Sequence, residues 1–536
     1  MSAESSRAPA STPAATPLRW LPSPVAILTI ALGGVMFAIT VTKGVQDPDF
    51  FWHITTGQLI AETGTVPTTD PFSFTWFGQP WTPHEWLSEL LTYWLMNGLG
   101  RIGALFVFGL FPAAIFAVLA TALTRHAGAR VLSLALPFAI GAFVLIGYVT
   151  LRPQAISWLL LAVLIWALLA ARPEHPRRFL LLIPFFVLWA NLHGVYVIGL
   201  GVVGVYTLIT LIGRTPMSPA KGWVVATLAG VIGASMLTPA GPIGILYPLR
   251  YVEGGDWGLA NIQEWQSPNF HEPAHMGFLL MIVALGLNGG RSTPGWLVTL
   301  SWIGVAMGLL ALRNAPIAVV FAMPTLVMGL ESRMRARDAR RTKARRPMAP
   351  SVALGRRVME LATALVIAVG SMAVLIPRDM NAAIDENIGE RFPVAGVERL
   401  LQLAPDANVF AEYGWGGYVI WHMHETGGRV FVDGRNDMYS QQVLEDYTAI
   451  RAADPGWEEL ADQYGVEAIL LPPETTLTRG PAESAGWCEI LRDEWQVLYL
   501  RSCPVAVALS LPRFLVYDVT YLMVGATPAT GPPEPR

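Results

Sequence analysis

Long apolar runs nearly free of charged residues recur from near the N-terminus to residue 376, and they leave this chain few folds to choose from. They fall at 25–42, 102–124, 131–149, 155–171, 179–193, 195–213, 222–238, 275–289, 295–312, 314–330 and 358–376. Most are close to the roughly 20 residues an α-helix needs to cross a bilayer core. In lipid, a segment must satisfy its backbone hydrogen bonds internally, which a helix does. The pattern therefore predicts a polytopic α-helical membrane protein with eleven spans. Composition agrees, with 53% apolar and only 14% charged residues among 536.

The basic residues set the orientation. With the N-terminus in the cytoplasm, Arg7 and Arg19, Arg125 and Arg130, Arg172, Arg177 and Arg178, Arg214 and Lys221, Arg291, and ten Lys or Arg between 333 and 357 all fall inside. That places 20 basic residues inside against five outside, namely Lys43, Arg101, Arg152, Arg250 and Arg313. Because these charges are spread over the loops, the net charge of -3 describes no nucleic-acid-binding face. Residues 1–20, rich in Ala, Ser, Thr and Pro, read as a disordered cytoplasmic tail, and 25–42 as an uncleaved signal anchor. The expected location is a plasma or inner membrane, crossed many times.

The 21–377 region contains one loop too long for a plain connector, 44–101 on the outer side. Its segments 50–63 and 84–98 are amphipathic and aromatic, as expected of helices lying at the headgroup boundary. The stretch HEWLSELLTYWLMN, with Glu85 and Glu89 one turn apart, is short for a span and reads as one of these interfacial helices. Beyond residue 378 the chain alternates strand-like NVFAEY, RVFVDG, VEAILLP and WQVLYLR with helix-like 440–464. This predicts an extracytoplasmic α/β domain over 378–525, followed by a disordered tail at 526–536. Cys488 and Cys503 lie in that domain, where two free thiols and one disulfide are both open readings.

With this topology the polar motifs gather on the outer face: DPDFFWH at 47–53, TPHEW at 82–86, LRPQ at 151–154, NLHG at 191–194, NIQEW at 261–265 and LRN at 312–314. The pattern DPDFFWH, Gly57, Gly64, Pro67, DPFS and HEWL resembles the GT-C superfamily of membrane glycosyltransferases, most strongly over 44–98. The resemblance implies a first outer loop that carries the catalytic acid. It also implies a polyprenyl-phosphate-linked sugar donor, membrane lipids as surroundings, and a lipid, glycan or protein acceptor.

Sugar transfer from a lipid phosphate needs a base for the acceptor proton and a counter-charge for the leaving phosphate. Asp47 and Asp49 serve either as the base or together as ligands of a divalent cation, Mg or Mn, with His53 one turn on. The same residues also suit a helix N-cap with Pro48 in the first turn. His84 and Glu85 are candidates for a second acid or a metal ligand, against a capping Glu and a solvated His. Arg152 and Arg313, each at a span end on the side where positive charge is avoided, suit a phosphate or snorkel to headgroups. Asn191, His193 and Glu264 are further substrate-binding candidates that serve equally as helix-end caps and a loop acid.

In the outer domain, EYGWGGYVIWHMHETGGRVFVDGRNDMY at 412–439 faintly resembles the acceptor-recognition stretch of oligosaccharyltransferase catalytic subunits. GWGGY departs from that family's core, so peptide acceptance is not carried over. Trp415 and Tyr418 read as a sugar or acceptor platform, with Asp433 and Arg435 beside it, or as a buried turn. A transporter or lipid-linked glycan flippase is the rival reading, but such proteins place ionisable residues near the bilayer midplane and these spans contain almost none. A non-catalytic glycan-assembly protein is a third reading, and it would tolerate loss of Asp47 and Asp49.

Overall fold

A computed structural model of the chain describes residues 21–171, 174–213, 221–247, 256–288, 290, 292–340 and 350–503. The expected tails at 1–20 and 526–536, and the topology-setting Arg172, Arg214, Arg250, Arg291, Arg341, Lys343, Arg345 and Arg346, lie outside these residues. The chain divides into two units. One comprises Met1–Gly44, Leu105–Ile245 and Leu259–Ala383; the other comprises Val45–Ala104, Leu246–Gly258 and Ile384–Arg536.

The first unit is helical, and each of the apolar stretches read from the sequence contains a helix. By length and composition, Pro24–Lys43, Trp86–Ala127, Leu312–Arg340 and Ser351–Leu375 are long enough to cross a membrane, and shorter apolar helices accompany them. This is the make-up of an integral membrane protein. Small residues set its closest contacts: a Cβ on Gly34 would meet the Ala368 Cβ at 2.3 Å, and one on Gly308 would meet the Phe278 ring at 2.5 Å. Such pairs let backbones approach where lipid supplies no hydrophobic drive between helices. Phe116, Phe138, Phe186, Trp189 and Phe321 fill the interior, while Leu132, Ile212, Leu310 and Val374 face outward.

The Trp86–Ala127 element is two helices joined at Gly100, whose φ of 67° and ψ of -177° suit glycine alone. Its first part covers the stretch expected to lie at the interface.

The second unit is built on a five-stranded sheet ordered β2-β1-β3-β5-β4, with β1 Asn408–Ala411, β2 Arg429–Val430, β3 Ala468–Leu471, β4 Cys488–Arg492 and β5 Val497–Leu500. β2, β1 and β3 run parallel, and β5 is antiparallel to both β3 and β4. Every residue of β3 and β5 is buried, consistent with strands read as continuous apolar runs. Helices Gln441–Ala452 and Trp457–Tyr464 occupy the expected helical region. Cys488 and Cys503 form a disulfide that ties β4 to the chain after β5.

Part of the 44–101 loop joins this sheet. Phe74 N–H donates to Val430 O at 3.0 Å and Val430 N–H to Phe72 O at 3.2 Å, so the DPFSF segment pairs with β2. The 45–104 loop thus belongs to the same unit as the C-terminal sheet.

Candidate functional site

In the second unit the acidic motif begins helix Phe50–Thr63. Asp47 is buried, and its Oδ1 accepts a hydrogen bond from Asp49 N–H at 3.0 Å. Asp49 stands at the N-cap position but its side chain makes no cap bond. Its Oδ1 instead accepts from the Trp52 indole N–H at 3.2 Å.

Two glycines bring the rest of the unit against this motif, and a third lets the segments that carry them pack together. A Cβ on Gly434 would lie 1.8 Å from Asp49 Oδ1, one on Gly417 would lie 2.6 Å from Pro48 O, and one on Gly416 would lie 2.6 Å from Val432 O. The glycines of GWGGY and DGRN therefore serve close approach: none of the three has a positive φ.

One turn into the helix, His53 meets two carboxylates from the 84–98 segment. Its Nδ1 is 3.1 Å from Glu89 Oε1 and its Nε2 is 3.4 Å from Glu85 Oε2. Glu85 also meets His84 Nε2 at 3.4 Å. Burial opposes a charge on His53, but the Glu89 hydrogen bond and the fields of Glu85, Glu89 and Asp49 hold its pKa above 6.5. His84 is pushed up to about 9, again against burial, by Glu85, Asp437 and Glu89. Gly57 sets the spacing, since a Cβ there would lie 2.2 Å from Glu89 O.

Arg435 is buried between two acids. Its Nε and Nη2 donate to Asp433 at 2.8 and 2.6 Å, and its Nη1 donates to Asp70 at 2.8 Å. Its guanidinium lies 4.5 Å from the Trp81 ring centroid and 5.1 Å from that of Phe72. Asp70 also accepts from the Phe72 and Ser73 N–H groups, and the Tyr439 hydroxyl donates to Asp433 at 2.8 Å. The paired acids outweigh the burial penalty and keep Arg435 charged. Tyr418 is buried, its ring stacked on Phe392 at 5.4 Å and edge-on to Phe51. Trp415 is partly exposed and donates its indole N–H to Arg391 O at 2.9 Å.

In the first unit a second cluster joins three separate loops. Arg152 Nη1 lies 2.8 Å from Glu264 Oε2, and Arg313 Nη1 lies 3.9 Å from Glu264 Oε1. Arg313 also sits over the Trp265 ring at 5.1 Å, and the Leu312 N–H donates to Gln266 O at 2.9 Å, which ties the two turns together. Although burial favours its neutral form, Glu264 is held below the ordinary carboxylate value by Arg152 and Arg313. Asn191 donates to Val187 O and Leu237 O at 2.8 Å each. His193 Nδ1 accepts from Val195 N–H at 3.1 Å.

Sequence reasoning did not single out Glu89, Asp70, Trp52 or Trp81 as site residues. The one-turn spacing of Glu85 and Glu89 was a usable signal for the first. Asp70 lies within the DPFS segment already quoted, but nothing in the sequence places it beside Arg435.

Two ways of holding a cation differ in fit. Asp47 and Asp49 each commit an oxygen to a local hydrogen bond. In contrast, Glu89 Oε2 is buried with no hydrogen-bond partner among the described residues, in a group of one imidazole and two carboxylates.

No protein-family model and no curated protein matches this chain. Among solved structures it is similar to the Archaeoglobus fulgidus oligosaccharyltransferase tethered with an acceptor peptide, at 12% identity and a TM-score of 0.49 over 90% of this chain and 74% of that one. It is similar to the oligosaccharyltransferase AglB of the same organism in complex with an inhibitory peptide and a dolichol-phosphate, at 12% identity and a TM-score of 0.47 over 84% and 69%. It is also similar to ArnT from Cupriavidus metallidurans bound to undecaprenyl phosphate, at 14% identity and a TM-score of 0.48 over 88% and 97%. At such overlap and identity these likenesses assign no role to any residue of this chain.

Proposed function

We propose that this protein is a GT-C-type membrane glycosyltransferase. It transfers a sugar or glycan from a polyprenyl phosphate or diphosphate carrier to a lipid, glycan or protein acceptor on the extracytoplasmic side. In this reading the N-terminus is cytoplasmic, the eleven helices span the membrane, and the unit with the C-terminal sheet faces outward.

The observation that carries the reading is the convergence of Arg152 and Arg313 on a single carboxylate, Glu264. Two guanidiniums aimed at one anion form a phosphate-binding geometry. A donor phosphate competes with Glu264 for them. As the sugar's anomeric C–O bond breaks, the bonding pair leaves with the phosphate, and the two guanidiniums stabilise its growing charge.

Asp49, or Asp47, takes the acceptor proton as the acceptor atom bonds to the anomeric carbon. The Trp52 indole N–H fixes the Asp49 carboxylate, and the close-packed glycines fix the loop that carries it. Mg or Mn, where bound, supplies further charge neutralisation. In the first unit Asn191 and His193 brace helix ends; in the second, Trp415 and Tyr418 brace local packing, and Asp433 and Arg435 hold the 44–101 loop to the sheet.

The test is release of the lipid phosphate in membranes supplied with polyprenyl-phosphate and polyprenyl-diphosphate sugars, with and without a divalent metal. The reading expects release by wild type and a loss of roughly a hundredfold or more when Asp47 and Asp49 are both changed to Asn. Equal turnover by that double variant sinks the mechanism. The donor that is consumed identifies single-sugar or en bloc transfer.

A further inference from the structure

Among the described residues, His53, Glu85 and Glu89 each offer a ligand atom within 4.8 Å of the other two. We propose that these three residues form a divalent-cation site, separate from the Asp47–Asp49 pair, suited to a zinc-class transition ion.

The first support is the donor set. One imidazole with two carboxylates is a mixed nitrogen–oxygen site; imidazole suits zinc and its neighbours, whereas magnesium prefers oxygen ligands and retains its water. Three protein ligands also leave a position for water or a substrate oxygen, as in zinc sites that do chemistry.

The second support is an unmet demand. Glu89 is fully buried and its Oε2 has no hydrogen-bond partner among the described residues. Leaving a buried carboxylate oxygen unsatisfied costs about 1–3 kcal/mol or more, and a bound cation removes that cost.

The third support is the framework. The ligands come from two helical segments whose separation is fixed by Gly57, one turn after His53 and in contact with the backbone of Glu89. The side chains are buried or nearly so, at 6%, 12% and 1% exposure for His53, Glu85 and Glu89. A chain of ion pairs, Glu89 to His53 to Glu85 to His84, is the alternative, and it needs no metal.

The full-length protein, purified in detergent, stripped with a chelator and dialysed, is titrated separately with Zn²⁺, Co²⁺, Mn²⁺ and Mg²⁺. Bound metal is read by mass spectrometry, the Co²⁺ form by its visible absorption, and folding by thermal unfolding. The proposal expects one equivalent of Zn²⁺ or Co²⁺, visible bands from the Co²⁺ form, and a higher unfolding temperature on metal addition.

His53→Ala and Glu89→Gln should abolish the Co²⁺ bands, Gly57→Ala should weaken binding by roughly ten- to a hundredfold as an indirect change, and Asp47→Asn should leave the bands unchanged. Should a ligand variant fail to fold, the wild-type titration still decides. Absence of stoichiometric metal, or bands that survive in folded Glu89→Gln, overturns the proposal in favour of the ion-pair chain. Bands lost in Asp47→Asn but kept in Glu89→Gln move the cation to the acidic pair and overturn it as well. Cation binding is read without a transfer assay, so its failure is separate from a failure of the transferase reading.

Discussion

In the membrane unit two guanidiniums share one carboxylate, whereas in the second unit Asp47, Asp49, Glu85 and Glu89 gather with two imidazoles. The first cluster is partly open, with side-chain exposures of 19%, 32% and 28% for Arg152, Glu264 and Arg313. In the second, His53 and Glu89 are closed off from solvent. A surplus of fixed positive charge at a partly wet site suits an anion that comes and goes. A surplus of carboxylates in a dry site suits proton removal or a resident cation. Under the proposed function, the difference suits the lipid phosphate to the first unit and the acid chemistry to the second.

The largest expected effect breaks the second unit outright. Arg435 is buried between Asp433 and Asp70, so Arg435→Met leaves two acids buried without their cation. Removing one partner of such a pair costs about 3–5 kcal/mol. Chemical unfolding should show that loss, while Arg435→Lys recovers only part of it because one ammonium cannot reproduce the fork.

Next in size is the membrane-unit pair. Arg152→Ala or Arg313→Ala should raise the KM for donor by roughly ten- to a hundredfold, the worth of about 1.5–3 kcal/mol for a charged hydrogen bond. The larger effect is expected for Arg152, which lies closer to Glu264. Equal KM values in wild type and both variants would mean that neither guanidinium meets the phosphate.

Glu264→Gln sharpens the comparison in the opposite direction. If Glu264 competes with phosphate, its neutralisation should tighten donor binding by up to about fivefold, in line with a pair of charges at a partly exposed site. Weaker binding would make Glu264 a positioning residue for the two arginines.

The smallest effect is on pH. The two arginines hold the folded Glu264 pKa below 4.5, so its ionised form stabilises the fold above the unfolded value, and that contribution is lost as pH falls through the lowered folded value. Wild type should therefore lose stability relative to Glu264→Gln between pH 4.5 and that lower value, as read by thermal unfolding. Parallel curves would remove the ion pair from the account.

Much of the fold was legible because its signals are local. Apolar runs marked the helices, and strand-like segments marked β1, β2, β3 and β5. β4 was missed: CEILR carries charge at both ends of a short edge strand and shows no burial alternation.

The site was legible only where its residues sit within one motif. Asp47, Asp49 and His53 share a helix start. Arg435 and Asp70 meet from distant parts of the chain, and their pairing depends on the DPFSF segment joining β2. Within GWGGY, Gly417 admits the Pro48 backbone, a contact that no local spacing encodes.

The most direct test of this division of labour measures binding and turnover of one polyprenyl-phosphate sugar in two variants, the double change Asp47→Asn with Asp49→Asn and the double change Arg152→Ala with Arg313→Ala. For the double aspartate variant the account predicts donor binding like wild type but release of lipid phosphate reduced by roughly a hundredfold or more, and the double arginine variant fails to bind donor. Normal donor binding by the double arginine variant, or normal turnover by the double aspartate variant, would contradict it.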